Sequence, residues 1–179
     1  MRSSSLAEAT VIGCRSATPR WTFPSATPPW AGHSGFGLGL ALAQPNKRVV
    51  LFDSEGDILM SLGQLPTIAE QAPATFYHFI LDNEVYATTG GQPVPGAKNI
   101  DYAGIARASG YPRAPSFVDI RDFSRELPAI LAAPGPVFIA LKVLPEVENT
   151  PIGQRVKWRK RSAEEVVRTL RTALLQPSA

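Results

Sequence analysis

Arg48-Val-Val-Leu-Phe-Asp53 runs straight into Ser54-Glu-Gly-Asp57, and from there into Ile58-Leu-Met-Ser-Leu-Gly-Gln-Leu-Pro-Thr-Ile-Ala69. The first piece is a short apolar run closed by an acid, the form of a strand buried on both faces. The last piece carries apolar residues at Ile58, Leu59, Leu62, Leu65, Ile68 and Ala69, a helical period that predicts one helix over Asp57–Gln71. A strand, an acidic turn and a helix in this order open a βαβ unit.

The alternation continues on both sides. Thr75–Leu81 (TFYHFIL) is a second buried strand, Asp82–Ile100 a long Gly/Pro/Thr loop, and Tyr102–Ser109 a helix. Tyr111–Val118 contains a strand, Asp119–Ala132 is a helix with Asp119 as its N-cap, and Pro136–Val143 is a last strand. Upstream, Phe36–Gln44 reads as a buried helix despite Gly37 and Gly39, whose small size lets a neighbour approach closely; Pro45-Asn46 ends it. Strands alternating with helices predict an α/β fold, a parallel sheet with helices on both faces. Residues 1–35 read as a loop-rich N-terminal arm with at most one short strand near Thr10–Cys14. Residues 36–144 form the core, and 145–179 a linker and terminal helix of the same domain, with Ser162-Ala-Glu-Glu165 as a capping box.

A length of 179 residues suits one domain, and a hydrophobic fraction of 44% supports a real core. Cys14 is the only cysteine, so there is neither an internal disulfide nor a cysteine metal cage, which fits a reducing, cytoplasmic setting. No apolar run approaches the ~18 residues of a membrane span. For that reason no membrane partner is expected, and since the first residues lack the apolar stretch of a secretory leader, no signal peptide is expected either. The basic run Gln154–Arg161 (QRVKWRKR) reads as a solvated linker, with contact to nucleic acid or an acidic partner as the alternative.

In parallel sheets ligands bind beyond the carboxyl ends of the strands. Two such ends are Asp53–Asp57 and Asp82–Tyr86. The first loop puts three acids and a glycine where a helix begins, and free N–H groups there suit a phosphate. Acids beside a phosphate make sense with a cation between them, and Mg²⁺ accepts carboxylate, amide and phosphate oxygens together. Asp82, Asn83 and the carbonyls after them supply such oxygens, and Glu55 and Asn83 lie 28 positions apart, one helix and one strand. The alternative is that these acids are solvated or cap helices, Asp57 being a good N-cap for Ile58 onward. His78, inside an apolar strand, reads as a packed core residue; His33 is a catalytic candidate, and no catalytic residue is assigned.

Gly37-Leu-Gly-Leu-Ala-Leu-Ala-Gln44, Val49-Val-Leu-Phe-Asp53, Ile58–Ala69, Leu81-Asp-Asn83 and Thr89-Gly-Gly-Gln-Pro93 follow in order. Together they resemble the C-terminal, diphosphate-binding domain of thiamine diphosphate-dependent 2-oxo acid decarboxylases, over Phe36–Val143. The subgroup they are most similar to is that of sulfopyruvate decarboxylase beta subunits and phosphonopyruvate decarboxylases. In that family the first loop is Gly-Asp-Gly-Ser and its Asp binds the metal; here Ser54, Glu55, Gly56 and Asp57 align with it. The resemblance thus implies Mg²⁺ on Glu55, Asn83 and the Val85 carbonyl. It implies thiamine diphosphate against Gly56, Asp57, Ile58, Asn83, Val85 and Tyr86, with the loop through Gln92 as a cover. Trp30 is the nearest candidate for the residue that props the bent cofactor.

Three departures stand out. Glu55 is a methylene longer than Asp, Ser54 replaces a glycine, and Asp57 replaces a serine that would bond the diphosphate. Two like charges at ~4 Å cost on the order of 4 kcal/mol at an effective dielectric near 20, so Asp57 must turn away, bind metal through water, or weaken the site. The resemblance also implies a separate partner subunit carrying the pyrimidine-binding domain, an oligomer with the cofactor at the subunit interface, and decarboxylation of a 2-oxo acid to an aldehyde. A non-catalytic paralogue with a degraded loop, an acetolactate-synthase-like carboligase subunit, and a basic adaptor are the other readings.

Overall fold

The computed structural model describes residues 10–13, 22–23, 31–147, 150, 154 and 162–175. In chain order the elements are β1 (Thr10–Gly13), β2 (Thr22–Phe23), α1 (His33–Ala43), β3 (Val49–Ser54), α2 (Glu55–Met60), α3 (Gln64–Gln71) and β4 (Phe76–Asp82). The small hairpin strands β5 (Val85–Tyr86) and β6 (Gln92–Pro93) follow. Then come α4 (Tyr102–Ala108), β7 (Ser116–Phe117), α5 (Ile120–Ala132), β8 (Val137–Lys142) and α6 (Ala163–Leu175). The main sheet runs β2-β1-β3-β4-β8-β7, and every pairing in it is parallel. The chain moves outward from β1 to β2 on one side and from β3 to β4 on the other. The order therefore reverses between β1 and β3, and the carboxyl end of β3 lies at this switch point, where such sheets bind ligands.

Alternating strand residues feed two cores. Leu51, Phe76, Ile80 and Phe138 pack with Leu40, Leu65, Ile68 and Ala106 from α1, α3 and α4. Val50, Tyr77, Phe79, Val137 and Ile139 face the opposite way, onto Ile130, Phe123 and Leu127 of α5. Fully burying a side chain such as Phe76, Phe79 or Phe138 contributes roughly 1.5–3 kcal/mol. A Cβ at Gly37 would stand 2.8 Å from the Phe76 ring, so glycine is what lets α1 lie on β4. Gly39 meets nothing within 4 Å, so close packing needs only the first of the two.

Several expectations change. The single helix over Asp57–Gln71 is two helices, broken at Ser61–Gly63. Pro66 falls in the first turn of α3, where its missing N–H costs nothing; inside a continuous helix its ring would clash with the Leu62 carbonyl. Helix α2 starts at Glu55, ahead of the expected Asp57, because Ser54 caps it and its Oγ accepts the Asp57 N–H at 3.2 Å. Asp57 is therefore not an N-cap. Strands β1 and β2, both within residues 1–35, belong to the main sheet, and α1 begins at His33 rather than Phe36. The capping box of α6 forms: Ser162 N–H donates to Glu165 Oε2 at 2.7 Å and Glu165 N–H to Ser162 Oγ at 3.1 Å.

Candidate functional site

The carboxyl ends of β3 and β4 gather ionisable groups that are rarely buried, Asp53, Glu55, Asp57 and Asp82, with His78 behind them within β4; all are under 9% exposed. They fall into two groups.

The first joins α2 to the loop after β4. Glu55 is only 1% exposed; its Oε1 accepts the Asn83 N–H at 3.2 Å, and its Oε2 has no partner among the described residues. Burial, helped by the nearby charge of Asp82, raises its pKa to about 7 against several backbone hydrogen bonds that oppose the rise. A buried carboxyl with an orphaned oxygen needs a proton or a cation. Asn83 Oδ1 accepts the Val85 N–H at 2.9 Å, which orients the amide and leaves that oxygen a second lone pair. Val85 faces Pro93 across the β5–β6 pair, and a proline has no N–H to give it. Glu84, between Asn83 and Val85, has a left-handed φ of 67°. A Cβ on Gly56 would lie 2.7 Å from the Tyr86 ring, so the loop after Asn83 rests directly on Gly56. Glu55, Gly56, Asn83, Val85 and Tyr86 are thus brought together, and their oxygen donors have the chemistry of a Mg²⁺ site. Ile58 differs: its side chain is sealed in the apolar core, so only its backbone could meet a ligand.

The second group answers what Asp57 does. It turns away from Glu55 and toward the start of α1. Its Oδ1 accepts the Ala31 N–H at 2.8 Å, and its Oδ2 lies 2.5 Å from His33 Nδ1. Burial pushes the Asp57 carboxyl up, but the hydrogen bonds from His33 and Ala31 outweigh it and hold it below its ordinary value. The bond to Asp57 raises the His33 pKa in spite of burial. Asp53 is close to both histidines, with Oδ1 3.7 Å from His33 Nδ1 and Oδ2 3.4 Å from His78 Nε2. Burial raises the Asp53 pKa, and the two histidines temper the rise. His33, Asp53 and Asp57 place three donor atoms within 4.8 Å of one another, but the hydrogen bonds and ion pairs among them already account for this arrangement. His78 is fully buried between Phe76 and Phe138, ring centroids 5.7 and 5.3 Å away, as a core residue should be.

Two residues escaped the sequence reading. Gln64 ties the start of α1 down, donating to the Ala31 carbonyl at 2.6 Å and accepting from Ser34 Oγ at 2.5 Å. Lys142 bonds Asp82 Oδ2 at 2.9 Å and Glu84 Oε1 at 2.7 Å. The strand register that pairs Lys142 with Asp82 is the signal for it, and it is visible only once β4 and β8 are known to be neighbours. Cys14, Trp30 and residues 155–161 lie outside the described residues.

Known proteins share this frame. The chain is 41% identical over 119 residues to the sulfopyruvate decarboxylase subunit beta of Methanothermobacter thermautotrophicus, covering 66% of this chain and 60% of that one. It is 38% identical over 109 residues to the phosphonopyruvate decarboxylase of Streptomyces viridochromogenes, covering 61% of this chain and 27% of that one. It therefore spans from about a quarter to three-fifths of these relatives. Benzoylformate decarboxylase from Polynucleobacter necessarius shares the fold, with a TM-score of 0.67 at 17% identity over 80% of this chain and 32% of that one. Residues 7–141, most of the chain and including both loops just described, match one family throughout, and the chain belongs to it: the thiamine pyrophosphate enzymes, through their C-terminal TPP binding domain.

Proposed function

We propose that this chain is the diphosphate-binding half of a 2-oxo acid decarboxylase of the sulfopyruvate or phosphonopyruvate type, working with a separate pyrimidine-binding subunit. The observation that carries the reading is the buried Glu55 carboxyl, one oxygen on the Asn83 N–H and the other without a partner among the described residues. Glu55, the Asn83 amide oxygen and the Val85 carbonyl would hold Mg²⁺, and Gly56, Asp57, Ile58 and Tyr86 would border the diphosphate. Thiamine diphosphate, when bound, supplies the sink for the electron pair left by departing CO₂. The chain's own part is to bind, orient and keep water out. Glu55 must be ionised to take the metal, and its burial beside Asp82 raises its pKa to about 7, so proton and metal compete for it.

The pairing of Asp57 with His33 favours a working site over a degraded one, because the added acid is balanced by a base and aimed away from Glu55. The name of the Methanothermobacter relative, a subunit beta, supports a partner chain, with the cofactor at the interface of the oligomer. A cytoplasmic setting belongs to the same reading; among the described residues, no helix is long and apolar enough to cross a membrane.

The test is an assay of CO₂ release with thiamine diphosphate, Mg²⁺ and a panel of 2-oxo acids that includes sulfopyruvate and phosphonopyruvate. The chain should be inactive alone and active with a pyrimidine-domain subunit. Robust turnover by the isolated chain would remove the partner, cofactor-independent turnover by the pair would remove the thiamine diphosphate reading, and no CO₂ release from any 2-oxo acid would remove the decarboxylase reading.

A further inference from the structure

Asn83 sits between two acids, Asp82 and Glu84, that share one cation. Lys142, the last residue of β8, lies in register beside Asp82, the last residue of β4, and both side chains project to the same face of the sheet. Its ammonium is 2.9 Å from Asp82 Oδ2 and 2.7 Å from Glu84 Oε1. The backbone closes the same turn from both ends. Val143 N–H donates to the Asp82 carbonyl at 2.9 Å, and Val94 N–H to the Glu84 carbonyl at 3.0 Å. Between these ties the chain adopts the left-handed conformation at Glu84, which a non-glycine residue keeps only when its surroundings enforce it. The same turn directs the Asn83 N–H onto Glu55 and the Val85 N–H onto Asn83 Oδ1.

We propose that Lys142 is a positioning residue for the metal loop: by gripping the acids on either side of Asn83, it fixes the left-handed turn that presents the Asn83 amide oxygen and the Val85 carbonyl together with Glu55. This rests on the Mg²⁺–diphosphate reading above and adds a residue that touches neither metal nor cofactor. A second consequence follows from charge. Asp82 and Glu84 are both acids next to the loop, and unpaired they would draw the cation away from Glu55 and Asn83. Lys142 holds one oxygen of each and its charge offsets theirs, which weakens that competition.

The test uses the full chain with its pyrimidine-domain partner and with Mn²⁺ as the probe, titrated in the presence of thiamine diphosphate, alongside thermal melting and amide hydrogen exchange of Asn83 and Val85 without ligand. Lys142→Met keeps the stem and removes the charge. It should weaken Mn²⁺ binding about tenfold and speed exchange at both amides while moving the melting temperature little. Lys142→Arg should restore most of the affinity. Unchanged affinity and exchange in Lys142→Met would overturn the proposal. So would a loss that tracks a lowered melting temperature and is not rescued by Lys142→Arg, since that is plain destabilisation. If the unaltered chain with its partner binds no Mn²⁺ in the presence of the cofactor, yet exchange quickens in Lys142→Met, the diphosphate reading falls while the grip on the turn stands.

Discussion

Replacing His33 by Ala leaves the Asp57 carboxylate with the Ala31 N–H as its main remaining donor. Hydrogen bonds to charged groups contribute about 1.5–3 kcal/mol, and stripping the partner from a fully buried charge costs ~3–5 kcal/mol. The side chains keep 20% and 10% of their exposure, so water softens the loss toward the lower range, and about 2 kcal/mol is expected. For a chain of this size that lowers the melting temperature by roughly 4–8 °C. The pH dependence has a definite sign. His33 titrates above its ordinary ~6.5 when folded, so its contribution is complete below that value and is lost as pH rises through the raised one. Asp57 titrates below its ordinary value, so its contribution is present above ~3.9 and is lost as pH falls through the lowered one. The pair is strongest between about pH 4 and 6.5. Urea unfolding of the parent and His33→Ala at pH 5.5 and pH 9 should show the full deficit at the lower pH and a smaller one at the higher. An equal deficit at both would mean that lost packing, not charge, is the cause. No deficit at pH 5.5 would refute the pairing outright.

Two further outcomes concern the metal loop. Asn83→Ala should weaken Mg²⁺–thiamine diphosphate binding by about tenfold or more, ~1.4 kcal/mol, and Asp82→Ala by less, because the first removes a proposed ligand and the second one support of the turn; calorimetric titration of both variants compares them, and equal losses would remove the assignment. Because Glu55 holds its proton up to about pH 7 without metal, the affinity should decline as pH falls through that value, with proton release on binding; an affinity flat from pH 8 to pH 5.5 would exclude Glu55 as a ligand.

Much of the frame was readable because its strands are apolar on both faces and end in acids, and periodicity detects both features. RVVLFD and TFYHFIL stand as β3 and β4 within a residue at each end. The split of Asp57–Gln71 was missed because Leu65 and Ile68 keep the helical period across the break, while Gly63 before the new helix and Pro66 in its first turn are cues that periodicity does not weigh. Bringing Glu55 to Asn83 followed from the βαβ spacing. The answer for Asp57 did not, since His33 precedes it by 24 positions in a stretch read as loop, and only the packing of α1 against β3 brings its first residue beside Asp57. Ser54 looked like a loss of glycine, whereas its hydroxyl caps α2. Lys142 needed the β4–β8 register, which a sequence alone does not supply.

The most direct test of a metal–diphosphate site on Glu55 and Asn83 is a calorimetric titration of the chain, with its pyrimidine-domain partner present, with thiamine diphosphate at pH 8, with and without Mg²⁺. Binding should require Mg²⁺ and should be lost together in Glu55→Ala and Asn83→Ala while both variants keep the parent's circular dichroism. Binding that ignores Mg²⁺, or that survives both substitutions, would contradict the site.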